Sequence, residues 1–116
     1  MGPRVIHFEI GCRDIERTSD FYSKLFGWEM TPMGHATMIK TDAGGIGGHL
    51  VSLGHEPHNF VTVYVEVDDL QGYLDKASPL GGKTLVPPVK LPGDQGSFAW
   101  MADPEGNLIG LWNTKA

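Results

Sequence analysis

An α+β fold made of two βαβββ units is what this sequence predicts, and three observations carry the expectation. A strand, an acidic helix cap and a helix occur in the same order twice, with Asp14 and Asp69 about 55 residues apart. Short, glycine-punctuated strands follow each helix in place of a second helix. The strand that opens each unit alternates apolar and polar residues with a period of two, the mark of a half-buried strand. One domain over residues 1–116 is expected, with its units at about 1–55 and 56–116.

The first unit opens with RVIHFEIGCRD, residues 4–14, which sets Ile6, Phe8 and Ile10 on one face and Val5, His7 and Glu9 on the other. Asp14 is placed to cap IERTSDFYSKLFG, where Ile15, Thr18, Phe21, Tyr22, Leu25 and Phe26 keep helical spacing until Gly27. Short strands are expected around WEMTPM, HATMIKTD and GIGGHLVSLG.

The second unit repeats the plan. In NFVTVYVEVDD, residues 59–69, Val61, Val63, Val65 and Val67 lie opposite Thr62, Tyr64 and Glu66. Leu70, Tyr73, Leu74 and Ala77 follow at i, i+3, i+4 and i+7, and Asp68 with Gln71 fits a capping box. Gly81 is the counterpart of Gly27. Strands are expected around KTLVPPVKL, GSFAWMAD and NLIGLW, the last entered through a turn in which Pro104 fixes φ and Gly106 relieves it. Since the apolar face of each opening strand serves a helix, its polar face points elsewhere and, if the sheet curves, lines a concavity.

Composition bounds the function. The length suits one core, and a net charge of -5 without a Lys/Arg cluster argues against nucleic acid as a partner. No apolar run approaches the roughly 20 residues that span a bilayer. Cys12 has no second cysteine to pair with, and no leader pattern opens the chain, so a cytoplasmic protein is expected.

VIHFEIGCRDIERTSDFYSKLFGWEM and the closing DPEGNLIGLW, in that order within a duplicated unit, resemble the vicinal oxygen chelate superfamily, the glyoxalase, bleomycin-resistance and extradiol-dioxygenase group. The resemblance implies a curved mixed sheet of paired βαβββ units with a small-molecule site in its concave cleft. It also implies that metal-using members carry ligands, commonly His and Glu, on the first and last strands of each unit. Those places fall here on His7, Thr62, Gly110 and a residue at Gly48 or His49. Glycine has no donor atom, and a neutral threonine hydroxyl is a poor ligand for a divalent transition metal. A bulge or a close backbone approach explains Gly110 equally well.

The expected function is therefore binding of a small, partly apolar or aromatic molecule without a metal or other cofactor. His7, Glu9, Thr62 and Tyr64 would orient the ligand and Trp112 would supply an aromatic wall. A divalent-metal-dependent lyase, isomerase or dioxygenase using His7 with Glu9 or His49 is the alternative, and general-base catalysis by His7 or Glu9 without metal is a third. Set against these roles, His7, Glu9 and Glu66 also read as solvated residues on a wet strand face. His35, His55 and His58 flank loops, Trp28 and Trp100 read as core or interface, and Ser19, Ser23 and Cys12 lie in no nucleophile motif. A homodimer is expected because four strands per unit leave apolar sheet edges to cover.

Overall fold

The computed structural model describes residues 2–52 and 58–115, so His55 lies outside the described residues. These residues form two compact units. One spans Ile6–Thr62, the other joins the residues up to Val5 with Val63 onward, and the division falls within a strand.

The first unit runs β1 (Val5–Gly11), α1 (Ile15–Phe26), β2 (Glu29–Met33), β3 (Ala36–Lys40) and β4 (Gly47–Val51). Its strands lie in the order β2-β3-β4-β1, with β1 and β4 parallel and the other neighbours antiparallel. Asp14 caps α1 as its sequence position suggests: Oδ1 accepts the Arg17 N–H at 3.0 Å, and the helix closes where the Gly27 N–H meets the Ser23 carbonyl at 2.8 Å. Cys12, Ile39 and Leu50 form the core, with Phe8, Ile10, Ile15, Tyr22, Trp28 and Met30 packed around them. Trp28 is thus a core residue, stacked on Tyr22 with ring centroids 5.6 Å apart. Gly48 belongs to this packing, since a Cβ there would stand 2.6 Å from the Phe8 ring.

The second unit runs β5 (Phe60–Glu66), α2 (Leu70–Ala77), a short 3-10 turn (Ser78–Leu80), β6 (Lys83–Lys90), β7 (Ser97–Ala102) and β8 (Leu108–Asn113). The strand order is β5-β8-β7-β6, again with a parallel pair, β5 and β8. The capping box does not form at Asp68. The extended backbone of Asp69 lets its Oδ1 accept the Gly72 N–H at 3.0 Å, while Gln71 turns along the helix to donate to Asp75 at 2.9 Å. Pro79 has no N–H to continue an α-helix, which explains why α2 is shorter than α1. Val67, Leu70, Leu74, Ala99 and Leu111 make the core, flanked by Val65, Tyr73 and Met101. In the closing turn Asp103 Oδ1 accepts the backbone N–H groups of Glu105 and Asn107, and Oδ2 accepts the Asn107 amide, each at 2.9 Å. These bonds, that from the Asn107 side chain foremost, hold the Asp103 carboxyl below the usual range.

The α+β class and the mixed pairing agree with expectation. β2 and β6, at the ends of the strand orders, contain Pro32 and the Pro87–Pro88 pair, and β6 has two shifts in register. Proline withholds ladder donors, so these edges are blunted. Large exposed apolar side chains lie on α1, where Phe21, Leu25 and Phe26 are 57%, 58% and 56% exposed, and also on the edge strands, as Met33 on β2 and Leu85 and Val89 on β6. Among the described residues no helix is long and apolar enough to cross a membrane.

Candidate functional site

Alternation places His7 and Glu9 together on the face of β1 that turns away from the Phe8 and Ile10 packing, as expected. This face is not wetted. His7 is 8% and Glu9 3% exposed, and on β5 Thr62 and Tyr64 are 4% and 5% exposed. The reading of His7 and Glu9 as solvated strand residues is therefore corrected. Polar groups so buried need partners, and the register of the parallel strands supplies one.

β1 pairs with β4 so that Phe8 faces Gly48 and Glu9 faces His49. The open choice between Gly48 and His49 is thereby settled, because Gly48 shares the core face with Phe8 and His49 shares the polar face with His7 and Glu9. His7 Nε2 and His49 Nδ1 lie 2.7 Å apart, and His49 Nε2 is 3.2 Å from Glu9 Oε1. Which of the two facing ring nitrogens, His7 Nε2 or His49 Nδ1, donates depends on the tautomer. Burial, reinforced by His49 and opposed by Glu9, lowers the His7 pKa to about 4, so the ring is neutral at pH 7.

These donors do not fit a metal shell. A bound divalent ion requires three or four donor atoms turned toward one point. Here His49 stands between the other two groups and directs one ring nitrogen to each, which makes a line. Among the described residues no group of three or more His, Cys, Asp or Glu side chains is placed to hold an ion.

In the second unit Tyr64 faces Gly110 across the parallel pair, and Gly110 faces Trp100 on β7. The Tyr64 ring rests on the glycine, where an added Cβ would come 2.4 Å from its Cδ2 and Cε2. Across that gap Trp100 Nε1 donates to the Tyr64 hydroxyl at 2.7 Å. Close approach of an aromatic ring thus accounts for Gly110 in physical terms. Trp112 meets Tyr64 edge-on at 5.7 Å, and its Nε1 donates to the Gln95 carbonyl at 2.8 Å. The β7–β8 register is what brings Trp100 beside Tyr64.

Other candidates have structural partners. Glu66 accepts from Arg4 at 3.0 Å and from Thr114 at 3.2 Å, and these bonds, Arg4's first, hold its carboxyl below the usual range. It borders an open depression of about 390 Å³ lined by Glu66, Val67, Asp68, Asn113, Thr114 and Lys115. Ser23 donates to the Asp20 carbonyl, and Cys12 is a buried core thiol. His35 sits in the turn between β2 and β3, and His58 just precedes β5.

Comparison with known proteins supports the architecture. The chain is 27% identical over 124 residues to the anthracycline biosynthesis protein DnrV of Streptomyces peucetius, covering 90% of this chain and 45% of that protein. It is 30% identical over 108 residues to a glyoxylase-like domain-containing protein of Didymella fabae, covering 85% and 84%. The chain spans less than half the length of the Mycobacterium and Streptomyces relatives it matches. Among solved structures, methylmalonyl-CoA epimerase from Mycobacterium tuberculosis superposes with a TM-score of 0.71 at 12% identity, over 94% of this chain and 86% of that one. A glyoxalase/bleomycin resistance protein/dioxygenase superfamily member from Vibrio splendidus 12B01 gives 0.69 at 16%, over 97% and 99%. The sequence profile of the Glyoxalase/Bleomycin resistance protein/Dioxygenase superfamily matches residues 4–111, and the chain belongs to that superfamily.

Proposed function

We propose that this chain binds a compact, partly apolar or aromatic molecule and does so without a resident metal. The observation that carries the reading is the burial of hydrogen-bonding and aromatic groups on the polar strand faces: His7 and Glu9 beside a half-buried His49 in one unit, Tyr64 beside half-buried Trp100 and Trp112 in the other. A few fixed polar groups among apolar walls are what a small-molecule site needs. Thr62, buried on the Tyr64 face of β5, is assigned to the same role. The aromatic cluster of the second unit also favours a flat ligand over a polyanion, for which no cationic group stands among these residues.

Titration of tryptophan fluorescence with a panel of aromatic metabolites, antibiotics and phosphorylated compounds tests the reading. Saturable quenching by neutral aromatic compounds, weakened in Tyr64→Ala, is expected. Binding confined to multiply phosphorylated compounds overturns it. Metal analysis of protein purified without a histidine tag tests metal independence: stoichiometric metal that disappears in His7→Ala favours a divalent-metal-dependent lyase, isomerase or dioxygenase.

The same reading takes the chain to be one domain of two βαβββ modules, cytoplasmic and homodimeric. The exposed Phe21, Leu25 and Phe26 of α1 support self-association, since apolar side chains grouped on one helix favour a covering partner. A dimer by sedimentation at tens of micromolar, converted to monomer by Phe21→Glu with Leu25→Glu, is the expected outcome.

A further inference from the structure

We propose that the depression beyond the ends of β5 and β8 binds a small zwitterion, a molecule with one ammonium and one carboxylate, and that Asp68 receives the ammonium and Lys115 the carboxylate. Glu66, Val67, Asp68, Asn113, Thr114 and Lys115 line its volume of about 390 Å³, all within the second unit. None of them belongs to the ligand site proposed above, so the two sites stand or fall separately.

The walls come from the exit of two parallel strands. β5 and β8 run side by side in the same direction, with Glu66 opposite Trp112, so their chains leave the sheet together. Three hydrogen bonds then tie one exit to the other. The Val67 N–H donates to the Trp112 carbonyl at 2.9 Å, the Asn113 side-chain amide to the Asp68 carbonyl at 3.1 Å, and the Thr114 hydroxyl to Glu66 Oε2 at 3.2 Å. The Lys115 N–H turns back to Asn113 Oδ1 at 2.9 Å, so the backbone that carries the ammonium is held as well. A ligand therefore meets walls that are already ordered, which lowers the ordering cost of binding.

The charges select the ligand. Glu66 is engaged on both oxygens, with Arg4 at 3.0 Å on one and Thr114 on the other. Lys115 is close enough to act on the Glu66 carboxyl through space. Among the described residues, however, neither the Lys115 ammonium nor the Asp68 carboxylate is in hydrogen-bond or ion-pair contact with another side chain. One uncommitted charge of each sign thus borders the depression. Since Arg4 balances Glu66, the local charge sums to zero: a net anion meets repulsion from the two carboxylates, and a net cation from Arg4 and Lys115. A zwitterion answers both uncommitted groups at once, and charge-assisted contacts at its two ends fix its orientation. Asp68, Thr114 and Lys115 are exposed, so solvent screens these contacts and a dissociation constant of about 1–10 mM is expected.

The probes are glycine, β-alanine and γ-aminobutyrate, which differ in the separation of their charges, with acetate and methylammonium as their isolated halves. Amide shifts of ¹⁵N-labelled protein are followed to saturation or to tens of millimolar probe. The expected result is that at least one amino acid saturates the shifts of Asp68, Thr114 and Lys115, with each isolated half at least about 5-fold weaker. Binding should weaken about 5-fold in Asp68→Asn and in Lys115→Gln, and also when salt is raised about tenfold. Both substituted side chains are exposed, and an unchanged spectrum away from the depression verifies the fold of each variant. Shifts that do not saturate with any of the three amino acids overturn the proposal. So does acetate or methylammonium binding as tightly as the zwitterion, and so do variants that bind like the parent.

Discussion

The two units solve the same place in the sheet in opposite ways. Counting from the helix caps Asp14 and Asp69, Glu9 is the counterpart of Tyr64, and the parallel-strand registers then make His49 the counterpart of Gly110. In the first unit the row across the strands reads Glu9, His49, Met38 and Thr31; in the second it reads Tyr64, Gly110, Trp100 and Val86. One row joins its first two members by a contact between an imidazole and a carboxyl group. The other removes a side chain entirely so that a phenol and an indole can meet over a bare backbone. Duplication therefore preserves the backbone ladder while leaving each row free to become polar or aromatic.

The largest expected effect tests the aromatic row. Gly110→Ala puts a Cβ into the buried Tyr64 ring and should cost about 2–3 kcal/mol in denaturant unfolding, the upper part of the range for overpacking. In a Tyr64→Ala background the same change should cost far less, since the clash and not the glycine's flexibility is at issue. A Gly110→Ala chain as stable as the parent would remove the contrast between the rows.

The next effect belongs to the polar row. The folded-state pKa of His7, about 4, lies below the unfolded value of 6.5, so between these values the unfolded chain binds more protons. Stability should fall as pH drops through that window and rise again with pH, by something on the order of 2 kcal/mol once solvent screening is allowed for. Unfolding midpoints measured from pH 7 to pH 4 should show this slope in the parent and lose most of it in His7→Asn. An equal slope in both would place the titration elsewhere.

Smaller effects sharpen the comparison. Tyr64→Phe deletes the acceptor of the Trp100 N–H and should cost about 1 kcal/mol, with a change in near-ultraviolet circular dichroism. Asp14→Ala and Asp69→Ala probe where the units are alike, since each carboxylate accepts one helix N–H at 3.0 Å. Each should cost about 0.5–1 kcal/mol by thermal melting, and the two costs should match. A large inequality would show that the repeat extends to order but not to energetics.

The sequence by itself determined what depends on near neighbours. The alternation in β1 and β5, the caps at Asp14 and Asp69, the helix stop at Gly27 and the closing turn at Asp103 all arise from residues within a few positions of one another, and all were legible. The capping box at Asp68 was misread by one position, because two adjacent aspartates offer the same side chain and only the backbone conformation chooses between them. Tertiary structure decided the rest. Whether Gly48 or His49 stands beside Glu9 depends on how β4 aligns with β1 after a long crossover, and a slip of one residue would exchange the two faces. The line that His7 and Glu9 make with His49 follows from that register, and the seat of Tyr64 on Gly110 from the register of β5 with β8. Local patterning specifies which way a side chain faces along its own strand, but only long-range pairing specifies what it meets there.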